Sequence, residues 1–375
     1  MKKIALIGST GSIGRQTLNV VRRNGDFKIV SLASGNNTSA FIEQVKEFNP
    51  LVATSINKVE NECLKTVEYH HGQTAFTNAI IEEADIVVVA VDGFKGILAV
   101  MQAIKMGKDV ALANKESLVV GGELVIKSAK ERGVNLIPVD SEHSALWQSL
   151  CFDKDRPFKK LILTASGGAL RDYTKEQLKS ATAKDALQHP NWNMGKKITV
   201  DCATLVNKGL EVIEAKWLFN TDFDKIDVII HKESIIHSMV EYEDGAVMAE
   251  LSYPSMELPI SLALTYPNRR DTGLKSLDFS SIQSLTFSQV DHDRFPCFNL
   301  VVEAGKRGGT YPAVISGANE VAVDLFIKER INFNDIYSCL HGALDAYKGG
   351  VVNGIEDLIE ADAFGRKFVL DKFGG

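Results

Sequence analysis

The 375-residue sequence has no excess of basic residues and no cysteine pattern. Its 42 Lys and Arg residues are outnumbered by 48 Asp and Glu residues, so the formal net charge of −6 offers no basic surface for nucleic acid. The five cysteines, at positions 63, 151, 202, 297 and 339, form no CxxC pair. This indicates reduced thiols and argues against a disulfide framework or a zinc ribbon.

Long apolar runs are also missing. No stretch approaches the roughly 18 residues that span a bilayer. The short apolar start of the chain is interrupted by Gly8 and Gly11 and is too brief for a signal peptide. We therefore expect a cytoplasmic protein that binds neither membranes nor nucleic acids. The 45% hydrophobic and 24% charged residues are typical of a globular chain.

The first third of the chain alternates β-branched apolar runs with helical patterns. The apolar runs predict strands that are buried on both faces and therefore parallel: residues 3–7, 27–33, 85–91, 109–113 and 136–139. The helical patterns between them are residues 12–21, 39–48, 94–106 and 123–132. This alternation predicts an α/β fold with a doubly wound, Rossmann-like parallel sheet.

Beyond residue 140 the pattern becomes mixed α+β and then helical. The predicted elements are a strand at 160–165, helices at 175–187 and 205–219, a hairpin around Glu243-Asp244-Gly245, and helices over 296–373. We expect four segments: a nucleotide-binding domain at 1–140, a central α+β domain at 141–272 with a flap at 166–196, a linker at 273–295 and a helical domain at 296–375.

Gly8, Gly11 and Gly14 follow the first predicted strand and open the first predicted helix. Such glycines let backbone N–H groups approach a pyrophosphate at a helix N-terminus, so we predict dinucleotide binding. The alternative is a tight structural turn. The second predicted strand ends near Asn36 without the Asp or Glu that usually meets the ribose hydroxyls of NAD, which favours NADP(H).

Two carboxylates follow the predicted strand at 136–139. Asp140 and Glu142 are two residues apart, so in extended geometry both side chains point to the same side. Such a pair can bind Mg²⁺ or Mn²⁺. The alternative is a helix start capped by Asp140 or Ser141.

The predicted helix at 205–219 is apolar nearly all round, and we expect it to be largely buried. Asn207, Lys208 and Glu211 share one face of it by their spacing. Buried polar groups need partners. Glu211 as a third metal ligand, with Asn207 and Lys208 on an anionic substrate, would supply them. A lone Lys–Glu pair on a helix is otherwise a solvated salt bridge.

Two further segments carry candidate functional residues. Asn114, Lys115 and Glu116 follow a predicted strand at the edge of the sheet where ligands bind; the alternative is a surface turn. His189 and Trp192 lie in a glycine-edged segment that suits a closing lid. The alternatives are a structural histidine and a tryptophan that anchors the core.

Taken together, six ordered motifs resemble the 1-deoxy-D-xylulose 5-phosphate reductoisomerases over essentially the whole chain. They are residues 8–14, 114–117, 139–143, 166–168, 189–195 and 207–211. The resemblance implies a homodimeric enzyme that uses NADPH and a divalent metal, Mg²⁺ or Mn²⁺ with Co²⁺ as a further candidate. It implies rearrangement and reduction of 1-deoxy-D-xylulose 5-phosphate to 2-C-methyl-D-erythritol 4-phosphate, in isoprenoid biosynthesis.

The resemblance also implies roles for individual residues. The implied cofactor contacts are Thr10, Gly11, Ser12, Ile13, Gly35, Asn36, Asn37, Asn114, Glu116 and Gly195. The implied substrate contacts are Lys115, Ser141, Glu142, Ser166, His189, Trp192, Cys202, Asn207, Lys208 and Glu211. The implied metal ligands are Asp140, Glu142 and Glu211, and the implied catalytic residues are Lys115, Glu142 and Lys208.

The chain departs from the family pattern at two positions. Many members carry Ser where this chain has Cys202, and a thiol is a weaker hydrogen-bond donor. Many carry Lys or Arg where this chain has Asn36. Two rival functions are another nucleotide-dependent dehydrogenase and a non-enzymatic dinucleotide sensor, neither of which needs three carboxylates and Lys208.

Overall fold

The computed structural model describes residues 1–374. The strands are β1 (Lys2–Ile7), β2 (Phe27–Ser34), β3 (Val52–Ser55), β4 (Glu68–His71), β5 (Ile86–Val89), β6 (Asp109–Leu112), β7 (Leu136–Pro138), β8 (Lys160–Ala165), β9 (Ile226–Ile230), β10 (Ile236–Glu241), β11 (Val247–Leu251) and β12 (Ser288–Gln289). The helices are α1 (Ser12–Arg23), α2 (Thr38–Phe48), α3 (Ala75–Asn78), α4 (Lys95–Lys105), α5 (Glu116–Arg132), α6 (Ser141–Ser149), α7 (Lys175–Leu178), α8 (Ala183–Ala186), α9 (Lys196–Ala203), α10 (Val206–Leu218), α11 (Glu257–Thr265), α12 (Cys297–Arg307), α13 (Tyr311–Ile327), α14 (Asp335–Ala346) and α15 (Ile355–Phe373). Short 3₁₀ turns occupy Glu62–Thr66 and Phe223–Lys225.

Two compact units are built from interleaved parts of the chain. Unit 1 comprises Met1–Ser117, Val125–Ser144 and Ser255–Lys275. Unit 2 comprises Leu118–Leu124, Ala145–Pro254 and the chain from Ser276 onwards. The domain boundaries that we expect at residues 140, 272 and 295 stay a prediction. Within residues 1–374, no helix combines the length and apolarity needed to cross a bilayer.

Unit 1 contains a seven-stranded parallel sheet in the order β4-β3-β2-β1-β5-β6-β7. The central strands β1 and β5 are the continuous apolar runs of the sequence, and β5 is buried throughout. The strand order changes direction between these two strands, so the carboxyl end of β1 is the position where doubly wound folds bind ligands. The predicted parallel sheet is confirmed.

The sequence patterns did not predict strands β3 and β4 of this sheet, and they predicted helix α5 too short. Strand β4 reads Glu-Tyr-His-His and lies at the exposed edge, so it has no apolar run. Helix α5 begins at Glu116 rather than near residue 123 and is kinked at Gly121. The next residue, Gly122, leaves room for the Trp217 ring, which a Cβ there would strike.

Unit 2 contains a mixed five-stranded sheet in the order β11-β10-β8-β9-β12. Strands β8 and β9 are parallel, and β10 and β11 form the predicted antiparallel hairpin. The prediction of one continuous helix over residues 175–187 is wrong, because Thr182 starts a second helix with its own capping box. The region predicted as a linker contributes strand β12.

The predicted helical region after residue 296 is confirmed as α12 to α15. Helices α13 and α15 approach closely at two glycines: a Cβ on Gly317 would strike Asp362, and one on Gly365 would strike Val314. Helix α10 is buried along most of its length, as predicted, and packs on α12 at Gly209. A Cβ on Gly209 would lie 2.7 Å from the Cβ of Val301.

This contact predicts that Gly209→Ala destabilises the protein. Alanine favours a helix by about 1 kcal/mol over glycine, but the overpacking costs about 1–3 kcal/mol and should outweigh it. Urea unfolding followed by circular dichroism measures the difference. The control is Gly25→Ala, since nothing lies within 4 Å of a Cβ at Gly25. A Gly209→Ala protein as stable as the wild type would contradict the packing argument.

Candidate active site

The glycine loop between β1 and α1 has no room for side chains at two of its glycines. Gly8 has a φ of +89°, and a Cβ there would strike the Ala90 carbonyl. A Cβ on Gly14 would strike the Gly8 carbonyl. Helix α1 begins after Gly11 without a side-chain cap, so backbone N–H groups of its first turn face the loop. This is the geometry that an anionic phosphate needs.

The end of β2 lies beside the glycine loop in unit 1. The hydroxyls of Thr10 and Ser34 are 2.9 Å apart. The Asn37 side chain accepts from the Ala40 backbone N–H and caps α2. The Asn36 side chain accepts a 3.1 Å hydrogen bond from the amide of Asn57, a residue that the sequence patterns did not single out. The Asn57 amide therefore anchors the Asn36 side chain at this position.

Asn114 ties the end of β6 to the loop after β5. Its amide donates to the carbonyls of Val91 and Gly93 and to the Glu116 carboxylate, at 2.9, 3.1 and 2.9 Å. Its oxygen accepts from the Ser117 N–H at 3.0 Å. A surface turn is thereby excluded, because Asn114 is buried and its side chain organises the loop.

A buried ion pair follows in the same unit. The Lys115 Nζ lies 2.8 Å from the Asp140 carboxylate, and both side chains are less than a tenth exposed. Burial by itself would raise the pKa of Asp140, but the Lys115 ammonium and His143 outweigh it and hold that pKa well below its usual range. Asp140 is therefore ionised at neutral pH, as an oxygen ligand for a cation must be.

Asp140 also caps the helix that follows it. Its Oδ1 accepts from the Glu142 backbone N–H at 3.3 Å, and α6 begins at Ser141. The Ser141 hydroxyl donates to the Glu142 carboxylate at 2.6 Å. The capping alternative is thus confirmed. Capping uses Oδ1 of Asp140, while Oδ2 pairs with Lys115. This role as a cap does not exclude a role of Asp140 in cation binding.

In unit 2, Ser166 and His189 form a hydrogen-bonded pair at the end of β8. The Ser166 Oγ is 2.9 Å from the His189 Nε2 and accepts from the Gly168 N–H at 3.1 Å. The His189 Nδ1 accepts from the backbone N–H groups of Asn191 and Trp192, at 3.2 and 3.0 Å. Since Nδ1 is the acceptor, Nε2 carries the hydrogen and donates to Ser166. The Ser166 hydroxyl keeps its own hydrogen for a further acceptor.

Trp192 is half-buried. This exposure lies between that of a lid residue open to solvent and that of a tryptophan that anchors the core. Its ring meets the His237 ring edge to face, with centroids 5.9 Å apart. His237 is a buried residue of β10 that the sequence patterns missed, and its Nε2 has no hydrogen-bond partner within residues 1–374. The segment between α8 and α9 has no regular structure and exposes Asn193 and Gly195.

Helix α10 brings its three predicted polar residues together. Asn207 donates to the Glu211 carboxylate, and the Lys208 ammonium pairs with the same carboxylate; all three side chains are buried. The solvated salt bridge is therefore excluded. Cys202 is the last but one residue of α9, and its carbonyl oxygen would lie 2.4 Å from a Cβ on Gly168, so the Ser166 turn packs directly on this helix.

Asp201, a residue that the sequence patterns did not select, anchors α9. It accepts from the Asn319 amide at 2.8 Å and pairs with Lys197 at 2.7 Å. No local pattern could reveal this contact, because Asn319 lies on α13, far along the chain.

Comparison with known proteins assigns the family. The family model of 1-deoxy-D-xylulose 5-phosphate reductoisomerase matches residues 4–122, and that of its C-terminal domain matches residues 136–219. A further model, of the DXP reductoisomerase C-terminal domain, matches residues 251–368. The chain belongs to the 1-deoxy-D-xylulose 5-phosphate reductoisomerase family.

Curated and solved members of this reductoisomerase family match over their full length. The 1-deoxy-D-xylulose 5-phosphate reductoisomerase of Pelotomaculum thermopropionicum is 49% identical, with 100% of both chains covered. That of Chloroherpeton thalassium is 46% identical over 99% of this chain and 98% of the relative. A crystal structure of DOX-P reductoisomerase with NADPH, fosmidomycin and magnesium superposes with a TM-score of 0.94 at 35% identity, covering 100% of this chain and 98% of that one. The Zymomonas mobilis enzyme in complex with NADPH gives 0.91 at 37% identity, covering 99% and 98%.

These matches confirm the family resemblance and the fold class that we expect for a reductoisomerase. They also remove the rival assignment to another dehydrogenase family. The roles of individual residues stay predictions. The structure does show that Lys115 adjoins Asp140, that Ser166 adjoins His189, and that Asn207 and Lys208 adjoin Glu211.

The two histidines of unit 2 predict a loss of stability in acid. Burial lowers the pKa of both His189 and His237 to about 4, with a further lowering of the His189 pKa by Arg171. Unfolding returns both toward the ordinary 6.5, so the unfolded chain binds more protons between these values. The free energy of unfolding is therefore unaffected by these two histidines above pH 6.5. It decreases as the pH drops from 6.5 toward 4.

Replacing the fully enclosed histidine should lessen this loss. We expect His237→Gln to reduce the acid-dependent loss of unfolding free energy by about 1–3 kcal/mol relative to wild type. Urea unfolding at neutral and acidic pH gives the comparison, with the exposed His70→Gln as the control. Identical pH slopes for His237→Gln and the wild type would show that His237 is not the source.

Proposed function

We propose that this protein converts 1-deoxy-D-xylulose 5-phosphate into 2-C-methyl-D-erythritol 4-phosphate, a step of isoprenoid precursor biosynthesis. NADPH is the reductant, and a divalent metal ion is the second cofactor. The observation that carries this assignment is family membership over the full length of the chain, with curated members of that name 49% and 46% identical.

The glycine loop fits the cofactor. Thr10 and Gly11 precede α1, and Ser12 and Ile13 begin it. These four residues hold the NADPH pyrophosphate, since α1 has no side-chain cap and the first backbone N–H groups of a helix lack intrahelical partners. The remaining cofactor contacts are assigned to Gly35, Asn36, Asn37, Asn114, Glu116 and Gly195. The embedding of Asn114 in the β6 end supports a fixed position for the nicotinamide side of the site.

The carboxylates fit a hard divalent cation. Asp140, Glu142 and Glu211 are its ligands, and an all-oxygen donor set suits Mg²⁺ or Mn²⁺. Two features support this: Lys115 keeps Asp140 ionised in unit 1, and Glu211 is a buried carboxylate on α10 in unit 2. When bound, the metal supplies Lewis-acid polarisation of substrate oxygens, and NADPH supplies the hydride.

The phosphate end of the substrate is bound by the chain's own donors in unit 2. The Ser166 hydroxyl has a hydrogen to donate, His189 orients that hydroxyl, and Lys208 and Asn207 add a cation and an amide. Cys202 and Trp192 adjoin this group of residues. Lys115, Ser141 and Glu142 bind the sugar chain, with Lys115, Glu142 and Lys208 in the catalytic roles.

The enzyme acts as a homodimer in the cytoplasm, and the segment 166–196 closes over the substrate. The edge strand β11 supports an association between copies, because Val247 and Met248 are 50% and 52% exposed there. The five cysteines are free thiols, which suits a reducing compartment.

One assay tests the reaction. NADPH absorbance is followed with 1-deoxy-D-xylulose 5-phosphate and Mg²⁺ or Mn²⁺, before and after EDTA. We expect oxidation of NADPH that needs both substrate and metal and yields 2-C-methyl-D-erythritol 4-phosphate. Binding of NADPH without turnover would instead identify a dinucleotide sensor. Turnover unaffected by EDTA would contradict the proposed requirement for a divalent metal.

The metal assignment predicts the effect of Glu211→Gln, which removes one negative ligand while keeping the shape. We expect kcat to fall by at least ~100-fold, about 3 kcal/mol of lost transition-state stabilisation. Steady-state assays at saturating Mg²⁺ measure it, with circular dichroism to check folding. The control is Glu303→Gln, which alters an exposed ion pair on α12. Near-wild-type turnover would remove Glu211 from the metal site.

The cofactor preference predicts opposite effects of two substitutions at Asn36. A 2′-phosphate is repelled by a carboxylate and attracted by an ammonium. Asn36→Asp should lower the ratio of kcat/KM for NADPH over NADH by roughly tenfold, and Asn36→Lys should raise it by a similar factor. Changes of the same sign in both variants would show that Asn36 does not face the 2′ position.

A further inference from the structure

Arg171 lies behind the turn that carries Ser166, with its side chain 19% exposed. Its Nη1 donates to the Ser166 carbonyl and to the Lys232 carbonyl, each at 3.0 Å. One guanidinium nitrogen therefore joins the end of β8 to the loop between β9 and β10. Arg171 lies within the segment predicted as a flap, but none of the six sequence motifs includes it.

Gly167 makes this arrangement possible. It has a φ of +81°, and a Cβ there would lie 2.8 Å from the Cβ of Arg171. The arginine stem thus packs against the glycine and turns back toward the carbonyl of the preceding residue. A side chain at position 167 would push Arg171 away from Ser166.

The Lys232 carbonyl is a junction between two parts of the phosphate site. It accepts from Arg171 and also from the Asn191 amide at 2.7 Å. The Asn191 backbone N–H in turn donates to the His189 Nδ1. Arg171 holds the Ser166 carbonyl, and Asn191 contacts the His189 ring. Because both residues also donate to the Lys232 carbonyl, this one oxygen links the two partners of the Ser166–His189 hydrogen bond.

A second arginine holds the backbone of Arg171 itself. The Arg294 Nη1 donates to the carbonyls of Arg171 and Tyr173, at 3.1 and 2.7 Å. Arg294 belongs to the region predicted as a linker, so a residue of this region supports the turn that follows Ser166. The side chain of Lys232 is engaged elsewhere, with Asp172 at 2.6 Å.

We propose that Arg171 is a positioning residue for substrate binding. By holding the Ser166 carbonyl and the Lys232 junction, it keeps the Ser166 hydroxyl and the His189 ring aligned toward the phosphate of the substrate. Arg171 acts through these groups and not by contact with the phosphate. The proposal rests on the proposed function for the identity of the phosphorylated substrate.

Kinetic measurements on Arg171→Gln and Arg171→Lys test this role. Loss of both carbonyl contacts in Arg171→Gln should raise KM for 1-deoxy-D-xylulose 5-phosphate by about tenfold or more, while kcat and KM for NADPH change by less than roughly threefold. Arg171→Lys keeps a cation that can reach one carbonyl and should recover part of the loss. The control Asp227→Asn removes an exposed ion pair with Lys160 and should leave KM within about twofold of wild type.

A spectroscopic readout on the free protein distinguishes positioning from a purely structural role. Nitrogen-15 spectra of labelled histidine report which ring nitrogen of His189 carries the hydrogen, and binding of inorganic phosphate reports the site without turnover. We expect a single Nε2–H form in the wild type and in Asp227→Asn, a mixed population in Arg171→Gln, and weaker phosphate binding by that variant.

The two proposals fail in different ways. If the wild type does not turn over the sugar phosphate, the proposed function fails, while the spectra and the phosphate affinity still judge Arg171. If Arg171→Gln or Arg171→Lys keeps wild-type KM, phosphate affinity and histidine spectrum, the positioning role is overturned, even if the melting temperature falls. Should Arg171→Gln not fold, Arg171→Lys alone decides by the same measurements.

Discussion

The candidate functional residues of both units depend on one constraint: a charged side chain can be buried there because it is paired with an opposite charge. In unit 1, Lys115 and Asp140 lie 2.8 Å apart in a nearly closed environment. An isolated buried ion is costly, and removal of one partner leaves the other uncompensated. The pair therefore holds the ends of β6 and β7 together, and it keeps Asp140 anionic where a neutral acid could not bind a cation.

The same constraint shapes unit 2. Glu211 is surrounded by the apolar residues of α10, yet Lys208 and Asn207 share its carboxylate on the same helix face. Asp201 is buried one helix earlier and is satisfied by Lys197 and Asn319. Buried polar networks of this kind are rigid because each member is costly to leave unpaired. Rigidity of this kind is what a preorganised binding site needs.

Close backbone approach is the second constraint. Gly8 lets the first loop pack against the Ala90 carbonyl, and Gly14 lets α1 pack against the Gly8 carbonyl. Gly167 leaves room for the Arg171 stem, and Gly168 brings the Ser166 turn against Cys202. At each of these positions a Cβ would meet backbone or a fixed side chain. The glycines thus serve chemistry indirectly, because they set how near one functional segment lies to the next.

The amino-acid sequence alone predicts the parallel sheet of unit 1, the hairpin of unit 2, the terminal helices and most of the candidate residues. These features are written in local patterns: β-branched apolar runs mark strands buried on both faces, and the spacing of Asn207, Lys208 and Glu211 places them on one helix face. Only the tertiary structure revealed the edge strand β4 and the contacts of Arg171, His237, Asn57 and Asp201. Edge strands lack an apolar run because one side meets solvent. Long-range polar contacts leave no trace in local periodicity, because the partner of each residue is chosen by which distant loops the folded chain brings within hydrogen-bond reach.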